Sequence, residues 1–133
     1  MLYAPWRDKY SNARSDQKER NKGVCVFCVI WEKKERDEEL FVLARYSCTM
    51  VLLNRYPYAG GHLLVVPKDH KSDLSELSSD SRIQLIELLS ESTEILKQSL
   101  CAMGVNVGIN IGKAAGAGIP GHLHVHLVPR WEG

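Results

Sequence analysis

The sequence predicts an α+β fold, an antiparallel sheet of about five strands with one long helix packed on it. Two observations carry this. Short apolar stretches come first, one long helical pattern follows, and two more stretches close the chain. The last two are joined by a loop too short for the helical crossover that a parallel pair needs.

Taken in order, Met1 to Trp6 is apolar with a proline, and Arg7 to Lys22 is mixed in charge without a helical stripe. Residues 1–23 therefore read as an N-terminal extension, partly flexible or ordered by contact with a partner or ligand. Residues 24–133 read as one domain. Leu40 to Ala44 and Cys48 to Leu53 are strand-like, rich in Leu, Val and aromatics. Tyr56 to Gly61 is a turn built on Pro and Gly, and Leu63 to Val66 is a buried strand stopped by Pro67. Asp80 is the expected N-cap of a helix running to about Leu100. Its predicted inner face includes Ile86, Leu89, Leu96 and Leu100, with Ser92 and Glu94 outward and Met103-Gly104 as its end. Val105 to Ile111 alternates, a Gly/Ala-rich loop spans Gly112 to Gly121, and His122 to Val128 alternates again before Pro129.

The composition bounds the function. The chain has 133 residues, 44% hydrophobic and 25% charged, with a net charge of +1. Such a length supports a core without disulfides. Lys, Arg, Asp and Glu are interspersed, so no field favours DNA, RNA or an anionic membrane. No apolar run reaches membrane-spanning length and no signal core opens the chain. A cytoplasmic protein is expected, its four cysteines being thiols or metal ligands.

Chemistry concentrates near the C-terminus. On an extended strand, His122, His124 and His126 line one face while Leu123, Val125 and Leu127 line the other. Imidazoles so arrayed suit metal binding, proton transfer or attack on an electrophile. The preceding loop, with four glycines from Gly112 to Gly121, lets backbone amides approach an anion, and Lys113 adds charge. Cys25-Val26-Phe27-Cys28 is a CxxC, a metal half-site or a redox pair. The redox reading wants a helix start in a thioredoxin-like context, which the surrounding sequence does not offer. The zinc reading wants two further ligands from His62, His70 and the triad.

The stretch from Gly108 through Gly121-His122-Leu123-His124-Val125-His126-Leu127-Val128 to Trp131 resembles the histidine triad (HIT) superfamily of nucleotide hydrolases and transferases. Leu53 to His70 and Cys25 to Ile30 resemble it too, most closely its bacterial branch related to diadenosine tetraphosphate phosphorylases. The resemblance implies a HIT-like fold with His124 as the nucleophile toward an α-phosphorus and a nucleotidyl-histidine intermediate. His126 would bond the phosphate or leaving group. Val26, Phe27 and Ile30 would hold the base, Asn54 the ribose, and Asn110 with the backbone of Gly116, Gly118 and Ile119 the phosphate. Cys25, Cys28, His70 and His122 would ligate a structural Zn²⁺, and Mg²⁺ would accompany a polyphosphate. Relatives are commonly homodimers across the helix and an edge strand. Two departures stand out. Gly118 and Ile119 occupy positions where many relatives carry Ser or Thr, and the chain stops at Gly133 where that branch usually continues.

The leading expectation is an enzyme that cleaves a nucleoside 5′-phosphoryl bond and delivers the nucleotide to water or phosphate. The alternatives are a nucleotide-binding protein with little turnover and a zinc-bound interaction module. His62 reads as a hydrogen-bonded core histidine. Cys48 and Cys101 read as small buried residues, and Trp6, Trp31 and Trp131 as packing or interface residues.

Overall fold

The computed structural model describes residues 24–133. The extension 1–23, with Trp6, lies outside the described residues. A five-stranded antiparallel sheet runs in the order β1-β2-β3-β5-β4, with β1 Val42–Arg45, β2 Thr49–Leu53, β3 Leu63–Pro67, β4 Gly104–Ile109 and β5 Val125–Arg130. A short helix α1, Val26–Glu32, covers one face and a long helix α2, Ser79–Leu100, the other.

Strand alternation sorts the core into two layers. Val51, Leu63, Val65, Val125 and Leu127 meet Leu85, Leu88 and Leu96 of α2. Met50, Leu52, Leu64 and Val66 meet Phe27, Ile30 and Trp31 of α1. The sequence reading missed α1. Its 7 residues are too few for a periodicity to stand out, yet Phe27, Ile30 and Trp31 form the i, i+3, i+4 stripe of a packed helix. Arg45 closes its C-terminal end. The guanidinium donates to the carbonyls of Ile30 at 2.7 Å and Trp31 at 3.0 Å, and pairs with Asp37 at 2.7 Å.

The long helix is rotated from its predicted phase. Its buried stripe is Ser81, Leu85, Leu88, Ser92 and Leu96, so Ser92 points inward. Ile86 is 61% exposed and Leu100 41%. The helix carries apolar residues on two faces, and the face that touches the sheet includes small serines that a hydrophobicity count assigns to solvent. Ser78 rather than Asp80 is the N-cap, accepting from the Ser81 N–H at 3.1 Å. Helix α2 ends at the left-handed Cys101 (φ 52°), before Met103-Gly104. Cys101 is exposed and Cys48 half-buried, against the expectation for both.

The strands also begin or end away from their predicted bounds: β2 starts at Thr49, β3 includes Pro67, and β4 runs from Gly104 and stops at Ile109. β1 begins at Val42 because Phe41 is left-handed (φ 61°). β5 begins at Val125, so His122 and His124 precede the strand, and Pro129 lies inside it. The Met103 N–H bonds to Arg130 O at 2.9 Å, which turns Pro129 toward the β3 side. There β3 has not begun, since Leu63 pairs Leu127, and the missing N–H costs no ladder bond. β4 is an edge strand, and although Val107 shares a face with the core-packed Val105 and Ile109 it is exposed, as is Ile111 just beyond the strand.

Candidate functional site

β5 lies between β3 and β4, and its polar face looks toward α1. His122 is fully buried. Its Nε2 lies 2.8 Å from the Pro67 carbonyl oxygen. A carbonyl only accepts, so Nε2 carries the proton and Nδ1 the lone pair. That Nδ1 lies 3.3 Å from Cys25 Sγ and 3.6 Å from Cys28 Sγ. His70 Nδ1 lies 3.4 Å from Cys28 Sγ. The ligand atoms of Cys25, Cys28, His70 and His122 all fall within 4.8 Å of one another. The donor set fits a metal. Two thiols and two imidazoles match a closed four-ligand zinc shell, and the Pro67 carbonyl orients His122 from behind. Burial holds the His122 imidazole below its ordinary pKa, partly opposed by the Pro67 carbonyl. Burial, reinforced by the hydrogen bond that the Cys28 thiol donates to Cys25, pushes the Cys28 thiol up to about 11. Among the described residues this is the single cluster of three or more such side chains. The CxxC does sit at a helix start, with Cys25 as N-cap of α1, which the sequence reading had not anticipated.

His124 follows two residues later. Its Nδ1 lies 2.9 Å from the His122 carbonyl oxygen, so Nδ1 carries the proton and Nε2 keeps its lone pair. The Phe27 ring packs 5.1 Å from it and 5.4 Å from His122. His126, half-buried, stands 5.0 Å from His124 between ring centres. Its Nδ1 meets Nε2 of His62 at 3.0 Å. His62 is buried and hydrogen-bonded, as expected, but its partner is a triad member, which sequence reasoning did not see. The signal was a register one. Leu64 pairs His126, so His62, two residues back on the same face, lies diagonal to it.

The remaining residues fall into two groups around this row. Asn54 directly follows β2 beside His62, bonding its carbonyl oxygen through the backbone N–H at 2.8 Å. It lines a pocket at the β2–β3 turn with Phe41, Leu53, Arg55, Pro57, Gly61 and His62. At the other end, Gly112 and Gly116 take positive φ around a single 3-10 turn, Lys113–Ala115. The Asn110 side chain reaches Gly116 O at 3.5 Å. The amides of Ala115, Gly116 and Ala117 are bonded within this loop. Phe27 and Ile30 are 4% and 7% exposed and belong to the core layer, whereas Val26 is 48% exposed. Ile119 packs against that layer. Trp31 is a packing residue, as expected, flanked by Arg45 and Lys68.

Residues 34–133 match the family model of the HIT domain. An AP-4-A phosphorylase of Mycobacterium tuberculosis is 35% identical over 99% of this chain and 68% of its own length. Among solved structures, a Zn-bound histidine triad family protein from Mycobacterium smegmatis superposes with a TM-score of 0.72 and 31% identity, covering 82% of this chain and 76% of that one. A hypothetical histidine triad nucleotide-binding protein from Sulfolobus tokodaii gives 0.71 and 32%, covering 82% and 70%.

Proposed function

The chain belongs to the HIT domain family, and from that premise we propose that it cleaves the 5′-phosphoryl bond of an adenylylated nucleotide such as a diadenosine polyphosphate, by way of a nucleotidyl-histidine. The observation that carries this is the His124 tautomer. With Nδ1 committed to the His122 carbonyl, the Nε2 lone pair is the nucleophile. It attacks the α-phosphorus, an N–P bond forms, and the P–O bond to the leaving phosphate breaks. His126 hydrogen-bonds the leaving oxygen. Water or inorganic phosphate then attacks the same phosphorus, its proton passes to solvent as the N–P bond breaks, and the bonding pair returns to Nε2, leaving His124 neutral. The amides of Gly118 and Ile119, with Asn110, stabilise charge that develops on the phosphoryl oxygens. Asn54 takes the ribose hydroxyls. Val26 supplies the exposed apolar wall for the base, and Phe27 and Ile30 support it from beneath.

A zinc ion held by Cys25, Cys28, His70 and His122 would supply a structural cross-link. These ligands come from the start of α1, the segment after β3 and the approach to β5, so His122 is fixed on a rigid frame and its carbonyl with it. A reducing cytoplasmic setting suits four free thiols. Leu100, Met103, Val107 and Trp131 form exposed apolar surface on α2 and the β4 edge, and this is the surface we assign to a homodimer.

The experiment is incubation with diadenosine tetraphosphate, with and without phosphate. ADP formed only with phosphate identifies a phosphorylase, and AMP formed without it a hydrolase. His124→Ala should lose at least 100-fold in turnover, roughly the lower end for a covalent nucleophile, while still binding AMP. Activity above a tenth of wild type would overturn the mechanism. A wild type that binds AMP without turnover would instead leave a nucleotide-binding protein.

A further inference from the structure

The donors around His62 have roles that cannot be exchanged. A backbone N–H only donates, and His62 is 1% exposed, which keeps bulk water from competing. The Tyr58 N–H faces His62 Nδ1 at 3.2 Å. The Asn54 amide lies 3.4 Å from the same nitrogen and 3.5 Å from Nε2. Asn54 Oδ1 already accepts from the Tyr56 N–H at 3.0 Å, so the NH₂ end is turned to the ring. The Asn54 amide reaches both ring nitrogens alike, so the Tyr58 N–H decides: Nδ1 accepts, and the His62 proton sits on Nε2. That proton is donated to His126 Nδ1 at 3.0 Å, and His126 in turn carries its own proton on Nε2. The Tyr58 ring stacks on His62, 4.8 Å between centres and 25° between planes, and stands 6.2 Å from His126.

We infer that Tyr58 is a positioning residue: its backbone N–H fixes the tautomer of His62, its stacked ring holds the imidazole plane, and through His62 it makes His126 a hydrogen-bond donor at Nε2. His124 and His126 then stand side by side in opposite tautomers, one with a lone pair at Nε2 and the other with a proton there. The nucleophile and the donor are thereby distinguished without any net charge. If the Tyr58 donor is lost, one proton on each ring can swap. His62 then donates from Nδ1 and accepts at Nε2, His126 donates from Nδ1, and its Nε2 turns a lone pair toward whatever it faces. Only the statement that His126 faces a phosphate or leaving oxygen rests on the function proposed above. The tautomers themselves do not depend on substrate.

The test uses the full chain as purified, labelled with ¹⁵N at histidine. Long-range proton–nitrogen correlation spectra read which ring nitrogen carries hydrogen. The wild type should show Nε2–H at His62 and His126. A variant with the α-hydroxy analogue of tyrosine at position 58 keeps the ring and replaces only the N–H by an ester oxygen. It should show a mixed or reversed tautomer at both histidines. Its kcat on a diadenosine polyphosphate should fall roughly 2- to 10-fold, the worth of one net hydrogen bond, with KM little changed. Tyr58→Ala keeps the N–H and removes the ring, and should retain Nε2–H at both histidines with more exchange. A proton on His62 Nδ1 in the wild type would overturn the inference, even if neither variant folds. An ester variant with wild-type tautomers would overturn it as well. If no turnover is found but the tautomers are as stated, the proposed reaction fails and the role of Tyr58 stands.

Discussion

Adjacent glycines at the β2–β3 turn should respond to alanine in opposite directions. Gly61 has φ +81°, and a Cβ there would overlap Leu100 Cδ1 and lie 3.6 Å from Leu96 and Pro129. Gly60 has no such φ, and its Cβ would meet nothing within 4 Å. For Gly61→Ala the left-handed backbone costs about 1–2 kcal/mol. The clash is with the end of a side chain that is 41% exposed, so Leu100 can leave its rotamer for about 0.5–1.5 kcal/mol. The sum is about 1.5–3.5 kcal/mol. At ~3–5 °C per kcal/mol for a domain of this size, Tm should fall by about 5–17 °C. Gly60→Ala should leave Tm unchanged or raise it slightly, through the reduced entropy of the unfolded chain. Thermal melts followed by circular dichroism measure both. Repeating Gly61→Ala in a Leu100→Ala background separates the two costs, since the clash vanishes and the backbone cost stays. A Gly61→Ala protein melting within 2 °C of wild type would refute the reasoning. A penalty that disappears entirely in the Leu100→Ala background would refute the backbone part.

Three further outcomes are expected. The purified protein should carry one zinc per chain by elemental analysis, and Cys25→Ser/Cys28→Ser should carry none. Rebinding of zinc to stripped protein at neutral pH should release a proton from Cys28, whose thiol is pushed up to about 11 without metal, because the metal takes the thiolate. Calorimetry in buffers of different ionisation enthalpy detects it, and heats independent of buffer would contradict the assignment. Asn54→Ala should erase a preference for AMP over dAMP while leaving AMP against GMP nearly unchanged, since a hydroxyl-binding amide discriminates more sharply than an apolar wall; equal wild-type affinity for AMP and dAMP in competition assays would remove Asn54 from the ribose site.

What could be read from the sequence was what depends on neighbours along the chain. The continuous apolar run of Leu63 to Val66 and the period-2 pattern of Leu123, Val125 and Leu127 are local properties, and the core follows them. The metal cluster was accessible through resemblance, since the motif carries its ligands with it, although Cys25 and His122 are 97 residues apart. What could not be read depends on a second element. The phase of α2 is set by which of its two apolar faces meets the sheet, so Ile86 and Ser92 exchange places. The bond of His62 to His126 depends on the register of β3 against β5, which no local pattern contains. The helix over the CxxC is held by Arg45 and by contact with Met50, Leu52, Leu64 and Val66, all of which come later in the chain.

The strand order has a consequence for how the molecule assembles. β5 is the last strand in sequence, yet it is inserted between β3 and β4. β1, β2 and β3 can form as a meander with short closures. β4 has no neighbour until β5 arrives, and pairing Leu127 with Leu63 closes a long stretch of chain whose entropy must be overcome first. The row of histidines should therefore be among the last parts of the domain to become ordered during folding. Until then β3 presents an open edge of Leu and Val to any passing strand. Refolding experiments should find the β2–β3 hairpin protected from hydrogen exchange well before the β5 amides, with the ability to retain metal arriving alongside β5.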